Sequence, residues 1–162
     1  MPYFCIKINE LNPAGFSIFL VLFLISCSQD IIFDSTQKVN NPWVHGEPLR
    51  YEYEVIDTSI AYDLIITIRH QSAFPFENLY LNTTTIFPDS TSTTYPVSFQ
   101  LAGNAGDWIG DCSGGECNIA IEMSTAAYYK SAGKYQLVFD QYSRKDSLTG
   151  INSVRITVRK SE

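Results

Sequence analysis

In Leu49-Arg50-Tyr51-Glu52-Tyr53-Glu54-Val55 every odd position is apolar or aromatic and every even one is charged. A period of two fits a strand with one face in a core and the other in water; wound as a helix, the same residues would give no single apolar stripe. Residues 62–70 (YDLIITIRH) repeat the alternation, with Ile65 breaking the polar side, and form the strand expected to be most buried. Runs rich in Tyr, Phe, Val, Ile and Thr, bounded by Gly, Pro, Asp or Asn, predict further strands over 79–87, 96–101, 118–123, 135–142 and 153–160. Pro88-Asp89-Ser90 fits a hairpin turn between two of them. Strands with one apolar face must cover one another, so the expected fold is all-β: a single antiparallel β-sandwich of about seven or eight strands. One helical exception is predicted at 124–130 (STAAYYK), one or two turns capped by Ser124 or Thr125 and stopped at Gly133.

Ahead of this domain, residues 16–25 read FSIFLVLFLI and lead into Leu24-Ile25-Ser26-Cys27. An apolar stretch of ~7–15 residues before a small residue is a signal peptide, too short for a membrane-spanning helix of about 20 residues. The Leu-x-Ser-Cys ending is a lipobox, which makes Cys27 the lipid attachment site and the mature N-terminus. The positive region before the apolar run is thin, with Lys7 set against Glu10. The expected division is therefore a removed signal peptide over 1–26, lipidated Cys27 with a spacer and first edge strand over 27–41, and the sandwich over 42–162. Two or more acyl chains hold a protein stably where one holds it marginally. The expected location is a lipid anchor in the cell envelope on the exported side of the cytoplasmic membrane, with either the inner or the outer membrane carrying it.

Lys7 and Glu10 leave together with the leader, so the mature net charge equals the −6 of the full chain. An acidic domain is a poor match for a phosphate backbone, and nucleic acid is excluded as a partner class. Of the four cysteines only Cys112 and Cys117 remain available. In an oxidising compartment their CSGGEC spacing reads as a disulfide across a glycine turn in preference to free thiols. A metal site would need more ligands than His45 and His70 add, and a redox pair would be spaced Cys-x-x-Cys.

Candidate chemistry is sparse. No Gly-x-Ser-x-Gly elbow is present, and His45 in PWVHGEP and His70 at a strand end suit surface or capping roles. The glycines of LAGNAGDWIGDCSGG lack the Lys-Ser/Thr of a phosphate loop. Asp107, Asp111 and Glu116 lack the spacing of a calcium loop. Trp108 on this glycine-hinged loop either docks on a partner or plugs the end of the sandwich. Residues 69–80 (RHQSAFPFENLY) hold an aromatic-proline loop that is either a packed corner or a recognition loop, with Arg69 placed to fix it. Phe74, Phe76, Trp108 and Arg144 are the expected contact residues, because aromatic and Arg side chains dominate hot spots. A glycan-binding module is the alternative, suggested by ten tyrosines and the loop Trp. Tyr51, Tyr53 and Tyr135 fall on the apolar side of their strands and belong to a core instead. Asp34-Ser35-Thr36, Asp89-Ser90-Thr91 and Asp146-Ser147-Leu148 also fit a bacterial O-glycosylation pattern.

The ordered set of a lipobox, an early Trp43, Ile68-Arg69-His70, Phe74-Pro75-Phe76-Glu77-Asn78-Leu79, Leu-Ala-x3-Gly-x-Trp-x-Gly over 101–110, Gly133-Lys134-Tyr135 and Arg-x-Asp-x-Leu-x-Gly over 144–150 resembles the GldH gliding-motility lipoprotein family. The chain departs from that pattern at Tyr142-Ser143, near Arg155 and in its CSGGEC pair. The resemblance implies a non-enzymatic, lipid-anchored accessory of the gliding machinery and the type IX secretion system tied to it. It implies no cofactor beyond the covalent lipid, no small-molecule substrate, and other gliding or secretion envelope proteins as partners. The pattern residues it marks are Arg69, His70, Pro75, Asn78, Leu79, Trp108, Gly110, Arg144, Leu148 and Gly150; of these, Arg69, His70, Pro75, Asn78, Trp108, Gly110 and Arg144 join Phe74 and Phe76 as partner-binding candidates.

Overall fold

The structure, a computed structural model, describes residues 30–161. It contains eleven strands: β1 (Ile31–Lys38), β2 (Trp43–Val44), β3 (Leu49–Val55), β4 (Tyr62–Gln71), β5 (Asn78–Ile86), β6 (Ser92–Gln100), β7 (Asp111–Ser113), β8 (Glu116–Ala127), β9 (Gly133–Gln141), β10 (Ser147–Leu148) and β11 (Ile151–Lys160). Three of these are two- or three-residue pieces, which leaves eight long strands, as the sequence predicts. Two sheets, ordered β1-β11-β4-β8-β7 and β3-β9-β5-β6, stack as a sandwich, and β2 and β10 form a small separate ribbon. All pairings are antiparallel.

The core joins Ile66, Ile68, Val154, Ile156 and Val158 of one sheet to Tyr51, Leu79, Leu81, Leu137 and Phe139 of the other. In β3 burial alternates at every residue, as the charged positions require. β4 lies at the centre of its sheet, between β11 and β8, and is buried along most of its length. Tyr51 reaches across the layers, its hydroxyl donating to the Val154 carbonyl at 2.8 Å. Thus a residue that looks merely apolar in the pattern also satisfies a buried polar group. The turn at 88–90 is present: Asp89 accepts from the Thr91 backbone N–H at 2.9 Å and from its hydroxyl at 2.6 Å.

The helix expected at 124–130 is absent. β8 continues through Ala127, pairing Ser124 with Leu64 and Ala127 with Tyr62 across two register shifts. A helix this short has little stability of its own. Here the Asp63 carboxylate captures the Ala126 N–H at 2.9 Å, and Tyr129 joins the ring cluster of Tyr53, Tyr62 and Tyr135.

Asp63 gives this end of the molecule a pH dependence. Its side chain is 8% exposed and also accepts from Arg159 Nε at 3.2 Å. The Ala126 N–H first, then bonds from Ser161 and Arg159, hold its carboxyl below the usual aspartate range. A lowered folded pKa stabilises above the unfolded pKa, and that contribution is lost as pH falls through the folded value. Urea midpoints should hold steady above about pH 5 and fall once pH drops past ~3.9. Asp63→Asn should flatten that acid limb and cost about 2 kcal/mol at neutral pH, since hydrogen bonds to a charged group weaken. An acid limb unchanged by Asp63→Asn would assign it to other carboxylates, such as Asp34 beside Arg155, which is also held low.

Candidate functional site

The expected contact residues divide into two neighbouring groups at one end of the sandwich. The first is scaffold. His70 is fully buried, which corrects its expected surface or capping role: its position continues the buried series Tyr62, Leu64, Ile66, Ile68. Its Nδ1 lies 2.9 Å from the Gln71 carbonyl, while Trp108 and Phe74 pack on the ring at centroid distances of 4.6 and 5.9 Å. Phe74, 3% exposed, belongs to the core and cannot serve as a surface contact. Trp108 is half-buried and donates its indole N–H to the Ser72 carbonyl at 3.1 Å, so it closes this end. Arg69 pairs with Glu116 on β8, and so ties strand to strand without holding the aromatic loop.

That loop, residues 72–77, is fixed from both ends by backbone groups. The Ser72 N–H donates to the Gly115 carbonyl at 2.9 Å, and the Glu77 carbonyl accepts from Leu101 at 2.7 Å and Ala102 at 3.2 Å. Cys112 and Cys117 are disulfide-bonded directly across β7 and β8, next to Gly115. Gly110, at φ +93°, lets its backbone press against Asn118 of β8.

The second group lines an open concavity of about 1010 Å³. Pro75, Phe76, Asn78 and Arg144 meet there, joined by Tyr80, Pro96, Tyr142 and Lys145, which were not among the expected contact residues. Tyr80 sits on β5 between the buried Leu79 and Leu81, so alternation alone turns it outward. The Tyr142 N–H donates to the Tyr80 carbonyl at 2.8 Å, joining the two aromatic positions through the backbone.

Arg144 stands on a loop organised by Gln141, which is 1% exposed. Gln141 Nε2 donates to the carbonyls of Lys145 and Asp146, each at 3.2 Å, and its Oε1 accepts from the Ser143 N–H at 3.0 Å and hydroxyl at 2.8 Å. His45 adds a contact from Nε2 to the Lys145 carbonyl at 3.1 Å, a pinning role in a surface position. A polar residue ending an apolar strand was the available signal for Gln141. Among the described residues no three His, Cys, Asp or Glu side chains gather as a metal site.

The fold and this end together define a small disulfide-stapled β-sandwich module with a preformed, aromatic-lined concavity. The GldH lipoprotein profile matches residues 31–158, and the chain belongs to that family. The chain is 25% identical over 160 residues to the gliding motility lipoprotein GldH homolog of Christiangramia forsetii, covering 92% of this chain and 98% of that one. It is 23% identical over 164 residues to the gliding motility lipoprotein GldH of Flavobacterium johnsoniae, covering 94% and 99%. Among solved structures, Xyl-CBM35 in complex with a glucuronic acid containing disaccharide aligns at TM-score 0.33 and 14% identity over 85% of this chain and 95% of that one. Membership makes the chain a lipid-anchored envelope protein; Cys27, the expected attachment site, lies outside the described residues.

Proposed function

We propose that this protein is a non-catalytic accessory component of the gliding machinery and of the type IX secretion system tied to it. Acyl chains on Cys27 hold it on the exported side of the cytoplasmic membrane, and it works with other envelope proteins of that machinery. The carrying observation is the family match across nearly the whole sandwich. The histidines support the non-catalytic part: buried His70 is packed by Phe74 and Trp108, and His45 is spent on a loop carbonyl. The pattern residues divide between a rigid scaffold and the concavity it supports, an arrangement suited to binding.

Deleting the gene in its host should abolish both colony spreading and secretion of a type IX cargo. Cys27→Ala should reproduce the loss while leaving the protein folded and soluble. Normal spreading and secretion in the deletion strain would reject the role, and a fully active Cys27→Ala strain would reject the need for the anchor.

A further inference from the structure

The concavity at the start of β5 is locally cationic in an acidic molecule. The chain is acidic overall, with a net charge of −6, yet Glu77 is the one acid lining this site, against Arg144 and Lys145. Neither cation takes part in an ion pair among the described residues. Beside them stand three exposed rings: Phe76 at 38%, Tyr80 at 46% and Tyr142 at 55% exposure. The Gln141 bonds hold the backbone of the cationic loop in place, which leaves the Arg144 and Lys145 side chains to be ordered on binding.

We propose that this concavity binds an anionic saccharide chain, with Tyr80 and Tyr142 as the stacking platform and Arg144 and Lys145 as the carboxylate clamp. This rests on the reading of the protein as a non-catalytic envelope component and names the ligand class of that site. The C–H face of a pyranose is apolar and packs on an aromatic ring, while its hydroxyls need polar neighbours such as the Asn78 amide. A guanidinium matches a carboxylate with two parallel hydrogen bonds, which an ammonium cannot do. An open concavity of about 1010 Å³ has room for several linked sugar residues.

The test is calorimetric titration of the mature lipidated chain in detergent with oligogalacturonate and with its methyl-esterified, uncharged form. The acid form should bind at least about tenfold more tightly at low salt, and the preference should shrink as salt screens the clamp. Arg144→Gln should remove about tenfold from the acid form and leave the ester unchanged, whereas Tyr142→Ala should weaken both. Absence of binding by either form, or equal binding with no effect of Arg144→Gln, overturns the proposal. Retention of an envelope protein that Tyr142→Ala releases, with neither saccharide bound, overturns it in favour of a protein occupant. Binding measured on the purified chain does not depend on host behaviour. Oligogalacturonate binding by a chain whose deletion leaves motility intact therefore supports the site and removes only the motility role.

Discussion

Gly110→Ala should destabilise the domain by about 4 kcal/mol, a large share of the 5–15 kcal/mol that holds a domain of this size. Two costs combine. At φ +93° any L side chain is strained, which costs roughly 1–2 kcal/mol. A Cβ at this position would also lie 2.2 Å from the Asn118 carbonyl oxygen and 3.1 Å from the Ile119 Cα. Those atoms belong to β8, whose Asn118 and Ile119 pair with Arg69 and Ile68 of the central strand β4, so they cannot yield without opening the ladder. Gly106 separates the two costs: its φ is +82°, yet nothing lies within 4 Å of its added Cβ. Gly106→Ala should therefore lose only about 1 kcal/mol. Paired urea melts check this, and equal losses for the two variants would show that the close approach to β8 carries no weight.

The sandwich was legible because a strand writes its burial into alternate residues. β3 and β4 follow their patterns nearly residue for residue, and the 88–90 turn follows from Asp89 and the chain reversal it caps. The same rule reached further than the candidate residues drawn from it. Positions 62, 64, 66 and 68 already placed position 70 on the buried face, and Leu79 and Leu81 placed Tyr80 in solvent. The helix expectation at 124–130 failed for the opposite reason. A cap at Ser124 or Thr125 and a stop at Gly133 give local helix signals, but the tyrosines and threonine suit a strand, and pairing with β4 and the Asp63 bond decide the outcome. Loops carry no period, so nothing in RHQSAFPFENLY separates the ring that turns inward from the one that turns outward. The concavity was half legible: Pro75, Phe76, Asn78 and Arg144 were candidates from two distant segments, and only the fold brings them together with Tyr80 and Tyr142.

Phe74 and Phe76 make that inward and outward difference measurable. Phe74→Ala should cost about 3–4 kcal/mol and lower the melting temperature by roughly 10 °C, because it leaves a cavity in a closed core. The ring it removes packs against His70 at 5.9 Å and Phe76 at 5.6 Å. It also covers Gly150, where an added Cβ would already meet Phe74 at 3.4 Å. Phe76→Ala removes a ring that is 38% exposed and should cost about 1 kcal/mol. Its larger effect should be on the concavity, where it should weaken oligogalacturonate binding several-fold while the melt barely moves. Thermal melts and the titration, run on both variants, separate the roles. If Phe76→Ala destabilised the fold as much as Phe74→Ala, the aromatic loop would be one packed corner, and the wall of the concavity would reduce to Tyr80, Tyr142 and the Gln141-held loop. The expected split instead gives the Phe-Pro-Phe segment two jobs divided by a single proline: one ring anchors the loop in the core and the other faces whatever enters the site.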